Sequence, residues 1–163
     1  MLVSTYTVVL KDIEMSVLEK EGFITVVADS SAPMVATIKA GSDTMTIDES
    51  GVARGLKAGA DPYDLVLGGL GACTVITLHM YARRKGWPLE RAEVSLRHER
   101  IHADDCAHCE DEKARLTQVT KKLRLYGNLT DEQRERLKFI SSKCPVQKTL
   151  QSGMAVETVL VEG

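Results

Sequence analysis

The sequence predicts an α+β fold, read as one domain over its 163 residues, and three observations predict it. Several short segments alternate apolar and polar residues with the period of a strand. One long stretch, residues 61–87 (DPYDLVLGGLGACTVITLHMYARRKGW), is nearly uncharged and has the start and stop signals of a helix. The order of elements (strands, long helix, strands, helix, strand) is not the regular alternation that builds a parallel sheet.

Residues 5–10 (TYTVVL) read as a strand or as the start of a helix continuing through DIEMSVLEK. Residues 22–28 (GFITVVA) are β-branched and aromatic. Residues 34–39 and 44–47 make a hairpin, with Gly41 and Ser42 suiting its turn. Residues 51–60 are a glycine-rich loop that holds Arg54.

In the long helix Asp61 is the N-cap, Pro62 suits the first helical position and Asp64 completes a capping box. Gly86 supplies the left-handed residue that ends it, Arg83, Arg84 and Lys85 favour the negative end of its dipole, and Pro88 prevents continuation. No polar stripe interrupts it before Arg83, which predicts burial on almost all sides. Residues 65–82 carry no formal charge, a length near that of a membrane span. Three glycines, Thr74, Thr77 and His79 inside it, and no second such stretch, favour a core helix instead.

After Pro88, Val94, Leu96 and His98 fall on one face of a strand, with Ser95, Arg97 and Glu99 on the other. A polar excursion, residues 102–113 (HADDCAHCEDEK), precedes a further strand at 116–126. Gly127 and Asn128 turn the chain, and Thr130 with Gln133 caps an amphipathic helix whose EQRER run is expected to be a solvated face, as are Glu90 and Arg91. Cys144-Pro145 breaks that helix and starts a new turn with Cys144 near its N-cap. Gly153 ends that turn, and residues 155–161 (AVETVLV) read as a closing strand.

Composition narrows the function. The net charge is −2 and only 4% of residues are aromatic. Neither gives an electrostatic or stacking case for nucleic acid or anionic membrane. No basic segment followed by an apolar run opens the chain, so no secretory signal is expected and the location expected is cytoplasmic. Four cysteines in that setting point to catalysis, redox chemistry or metal rather than structural disulfides.

Cys73 lies inside the long helix, with Gly68, Gly69, Gly71 and Ala72 thinning the surface around it. It is either a packed core thiol or a reactive one whose thiolate takes a cation from elsewhere. Arg54 is the nearest candidate in sequence. Cys144 has the unpaired N–H groups of a helix start to lower its pKa, or is simply a Cys-Pro corner. His79 points away from Cys73 around the helix and reads as a core or interface histidine.

The segments DPYDL (61–65) and LGACT (70–74), with KCPVQKTL (143–150), resemble the osmotically inducible protein C (OsmC) family, whose relatives include the organic hydroperoxide resistance proteins. The resemblance runs from Gly22 onward and leaves residues 1–20 unmatched. It implies an intertwined homodimer in which strand-rich halves wrap two long central helices. It also implies thiol peroxidase chemistry, with Cys73 peroxidatic and Cys144 resolving. A hydroperoxide would be the substrate, a dithiol of lipoyl or thioredoxin type the reductant, and no cofactor would be required. The resemblance assigns Arg54 to the thiolate of Cys73. Where hydroperoxide resistance members place a glutamate beside that thiolate this chain has Tyr63, and an acid follows as Asp64. One helical residue is a rotation of about 100°, so Asp64 either steadies the thiolate or only caps the helix.

Cys106-x-x-Cys109, with His102 and His108, has the spacing of half a zinc site. Three readings stay open for it: a solvated acidic excursion, a zinc site using Cys106, Cys109, His102 and His108, or an exchanging dithiol. Asp104 and Asp105 oppose the last by raising thiol pKa values. A dimeric zinc- or thiol-binding stress protein is therefore the alternative function.

Overall fold

The computed structural model describes residues 24–57, 59–102 and 115–160. The chain divides into two compact units, with the boundary between Leu65 and Val66.

The first unit holds a three-stranded antiparallel sheet in the order β1-β2-β3. Its strands are β1 (Thr25–Val27), β2 (Val35–Ala40) and β3 (Asp43–Asp48). The β2–β3 hairpin closes on the Ala40–Asp43 pair, leaving Gly41 and Ser42 as a two-residue loop. Gly41 takes φ +59° and is the positive-φ residue at the first loop position, as a II′ hairpin requires. The loop expected at 51–60 contains a 3-10 turn, Val52–Arg54, closed by Gly55 in the left-handed region.

The long helix, α1 (Pro62–Lys85), starts and stops on its predicted caps. The Asp64 N–H donates to Asp61 Oδ1 (2.9 Å) and the Asp61 N–H donates to Asp64 Oδ2 (3.0 Å), completing the reciprocal box. At the far end Gly86 is left-handed (φ +66°). The N–H groups of Gly86 and Trp87 donate to the carbonyls of Arg83 and Ala82, a Schellman closure. By length and composition α1 is long and apolar enough to cross a membrane.

Burial on almost all sides does not hold within the single chain. Leu67, Leu70, Thr74, Leu78 and Ala82 are buried, one stripe at three- and four-residue spacing. Val66, Ile76 and Met80 lie exposed, Met80 at 69% of its surface. The sequence pattern reports the sum of all surfaces a helix covers, and among the described residues of one copy only one side of α1 is covered.

In the second unit, β4 (Arg91–His102) and β5 (Arg115–Tyr126) pair antiparallel along their full lengths, from Arg91 opposite Tyr126 to His102 opposite Arg115. The predicted two faces are present: Val94, Leu96 and His98 are half-buried, and Ser95, Arg97 and Glu99 are exposed. Gly71 admits this strand to the helix, since a Cβ there would sit 3.0 Å from Leu96 Cδ1.

The helix α2 (Asp131–Ser141) carries the predicted box, with Thr130 and Gln133 exchanging backbone N–H bonds. Its Leu137 and Ile140 join Leu78, Ala82 and Leu129 in the core, edged by Tyr81, Trp87, Leu89, Ala92, Leu123 and Leu125. Gly127 is required by close approach: at φ +124°, a Cβ would lie 2.0 Å from the Pro88 carbonyl oxygen.

The EQRER run is not wholly a solvated face. Arg134 is half-buried, because its guanidinium donates to the carbonyls of Leu125 (2.8 Å) and Gly127 (3.1 Å) at the end of β5. Arg136 Nε donates to Tyr81 Oη at 3.1 Å and its guanidinium lies over the Tyr81 and Phe139 rings.

Cys144 is the N-cap of α3 (Pro145–Ser152), which Gly153 ends. The closing strand expected at 155–161 is not formed over its described residues, 155–160, which are exposed and belong to no sheet. Alternating apolar residues make a strand only where an open sheet edge meets them. The strand or helix expected at 5–10 lies outside the described residues.

Candidate active site

The structure brings Cys73 and Cys144 together from two different elements of the second unit. Cys73 sits midway along α1, half-buried, next to the fully buried Thr74; Cys144 enters from the start of α3 and is also completely buried. Both are free thiols, and Cys73 is among the groups that lower the Cys144 pKa.

Around Cys144 the chain assembles three further groups. Thr74 Oγ1 lies 3.6 Å from Cys144 Sγ and 2.8 Å from the Leu70 carbonyl oxygen. A hydroxyl has one proton, so Thr74 donates to either acceptor. With the thiol protonated, S–H donates to Oγ1 and the hydroxyl bonds back to Leu70; with a thiolate, the hydroxyl proton turns to sulfur. The Gln147 N–H donates to Cys144 Sγ at 3.4 Å, the cap bond of α3 with sulfur as acceptor. Lys121 on β5 brings the third group, a positive charge. Its ammonium donates to the Ser141 carbonyl (2.7 Å) and to Gln147 Oε1 (2.8 Å), spanning the end of α2 and the first turn of α3.

These groups set the thiol's acidity. Burial pushes the Cys144 pKa up. The bonds from Thr74, the Gln147 N–H and Cys73, with the charge of Lys121, outweigh it, and the thiol lies below its ordinary range. Lys121 shows the reciprocal effect: desolvation lowers its pKa, and the charge of Cys144 partly restores it.

Asp64 is a capping acid. Its Oδ2 accepts from the Asp61 N–H, and its carboxylate pairs with Lys57, which also pairs with Asp61 at 3.3 Å. Arg54 is the last residue of the 3-10 turn, exposed, in the first unit. His79 is exposed on α1 beside Met80. Cys106, Cys109 and His108 lie outside the described residues; His102 ends β4, with its backbone paired to Arg115. Among the described residues no cluster of His, Cys, Asp or Glu has metal-binding geometry.

Lys121 and Thr74 are site residues the sequence reading missed. The signal for Lys121 was there: it shares the inward parity of Leu123 and Leu125, while Lys122 and Arg124 face outward and are exposed. A lysine in the core-facing register of a strand needs oxygen acceptors or an anion. Thr74, a polar residue in the buried stripe of α1, carried the same kind of signal.

A half-buried thiol midway along α1 and a second thiol capping α3, beside a two-stranded sheet, make this a cysteine-containing α+β protein. The chain belongs to the OsmC-like protein family, which matches residues 55–159. No functionally curated protein gives a sequence match. Among solved structures, the chain is similar to an OsmC-like protein of Mycoplasma pneumoniae (TM-score 0.61, 19% identity, covering 79% of this chain and 86% of that one). It is also similar to the organic hydroperoxide resistance protein OhrB of Bacillus subtilis (0.57, 18%, 79% and 90%). A third is an organic hydroperoxide resistance protein, OsmC, from Legionella pneumophila (0.56, 17%, 79% and 89%). The family thus includes peroxide-resistance proteins, and the α+β OsmC-like fold is that of this chain.

Proposed function

We propose that this protein is a cysteine-dependent thiol peroxidase that reduces organic hydroperoxides. The observation that carries the reading is the meeting of Cys73, half-buried on the apolar helix, with the buried and acidified Cys144. The Cys73 thiolate attacks the terminal peroxide oxygen, the O–O bond breaks, and the alcohol leaves after taking a proton. Cys73 becomes a sulfenic acid. Cys144 attacks that sulfur, displacing hydroxide, which leaves as water, and a Cys73–Cys144 disulfide results. A dithiol reductant of lipoyl or thioredoxin type then restores both thiols, with no cofactor required.

The uncharged run of residues 65–82 gives the peroxide an apolar approach, which favours an alkyl tail over hydrogen peroxide. Arg54 is the cation proposed for the Cys73 thiolate. A second copy of the chain is proposed to cover Val66, Ile76 and Met80, where Gly68 and Gly69 face open space in the single chain. A cytoplasmic setting fits free thiols.

The test is peroxide consumption by purified protein with a dithiol present. Cys73→Ser is expected to reduce turnover with cumene hydroperoxide to the uncatalysed level. Undiminished turnover in that variant sinks the reading.

A further inference from the structure

We propose that Lys121 is the positioning residue that makes Cys144 the leaving sulfur when the Cys73–Cys144 disulfide is reduced, so that the dithiol attacks Cys73. The inference rests on the peroxidase reading and deepens it by assigning direction to the step that regenerates the enzyme.

Thiol–disulfide exchange depends on access to the attacked sulfur and on the stability of the departing thiolate. Both point the same way here. Cys144 is completely buried and Cys73 is half-buried, so an external thiolate reaches Cys73 first. Cys144 is also where a departing negative charge is received. The Gln147 N–H donates to its sulfur at 3.4 Å, and the Thr74 hydroxyl, 3.6 Å away, turns its proton to that sulfur when it carries charge.

Lys121 organises this receiving site from outside it. Its ammonium grips the last carbonyl of α2 and the Gln147 side chain, the residue whose N–H caps the sulfur. It therefore fixes the Cys-Pro turn between two helices and brings a positive charge to bear on the same atom. The ionisable groups acting on Cys144 are Cys73 from α1 and Lys121 from β5; α3 contributes the Gln147 backbone, and α2 meets Lys121 through the Ser141 carbonyl. Lys143 and Lys148, beside the turn, are exposed. The lowered pKa of Cys144 agrees with this geometry.

One thiolate of the dithiol bonds to Cys73 Sγ, the protein S–S bond breaks, and Cys144 leaves with the electron pair as a thiolate. The reductant's second thiolate attacks its own sulfur in the mixed disulfide, releasing Cys73 as a thiolate. The dithiol loses two electrons, the protein disulfide gains them, and the reductant's two protons pass to solvent or to the cysteines.

Two measurements test this. In a Cys73→Ser, Cys106→Ser, Cys109→Ser background that retains Cys144, thiolate absorbance is followed against pH. Adding Lys121→Gln, which keeps an amide donor for the Ser141 carbonyl but no charge, is expected to lower the thiolate fraction about tenfold near neutral pH. Lys121→Arg is expected to restore it. Lys121→Met serves in place of Lys121→Gln should the latter not fold by circular dichroism.

Separately, the full chain, oxidised with diamide, is opened with 2-mercaptoethanol, and mass spectrometry locates the adduct. The adduct is expected on Cys73, with opening slowed about tenfold in Lys121→Gln. An unmoved titration in the neutral variants, or an adduct on Cys144, overturns the proposal. The titration uses no peroxide, so loss of the peroxidase reading leaves a moved titration standing, and the two failures are distinct.

Discussion

Cys73 and Cys144 belong to one site but are built by opposite strategies. Cys73 lies in a helix interior, where backbone N–H groups are already spent on the helix, and it keeps part of its surface open. Cys144 occupies a helix start, where N–H groups are free, and it is wholly enclosed by Thr74, Gln147 and the reach of Lys121. On the proposed peroxidase reading, the difference separates two tasks. A sulfur that meets substrate needs access, and a sulfur that must accept and hold charge needs donors.

The sharpest way to break this division is to exchange the thiols' fates one at a time. Cys144→Ser is expected to lose multiple turnover while still consuming about one equivalent of peroxide per chain, leaving a sulfenic acid on Cys73 that dimedone traps. Continued turnover at the wild-type rate with a dithiol would remove Cys144 from the resolving role.

A smaller effect is expected from Thr74→Val, which keeps the shape of a buried residue and deletes its hydroxyl. The Cys144 thiolate loses one donor, worth about 1 kcal/mol or about fivefold in thiolate fraction. Titration of the single-thiol background reads it. No change would mean that the Thr74 proton stays on the Leu70 carbonyl in both ionisation states.

The smallest effect is on stability against pH. The folded-state pKa of Cys144 is depressed, so the folded chain releases this proton while the unfolded chain still holds it. The contribution is complete above the ordinary thiol range and is lost as pH falls through the depressed value. Lys121, whose pKa is also lowered, acts in the same direction. The urea midpoint of wild type relative to Cys144→Ser is therefore expected to rise as pH increases toward the ordinary thiol range. A flat or falling difference would contradict the enclosed, charge-stabilised sulfur.

How legible the molecule was in its sequence depended on how local each signal is. The caps of α1 at Asp61–Asp64 and Gly86, and the box of Thr130 and Gln133, were all predicted and are all present, because each involves neighbours a few residues apart. Asp64 exchanges hydrogen bonds with Asp61 as the cap the sequence predicts. Residues 155–160 alternate as a strand should, but among the described residues no sheet edge meets them.

The sequence by itself determined the order of elements from β1 to α3, the helix boundaries and Cys144 as an N-cap, since backbone sterics and local hydrogen bonds settle these without distant partners. Only the tertiary structure decided that Thr74 and Lys121 act on the Cys144 sulfur. The physical reason is that desolvation and charge act through space. The register of β5 turns Lys121 inward, toward a buried cysteine that α1 and the first turn of α3 also reach.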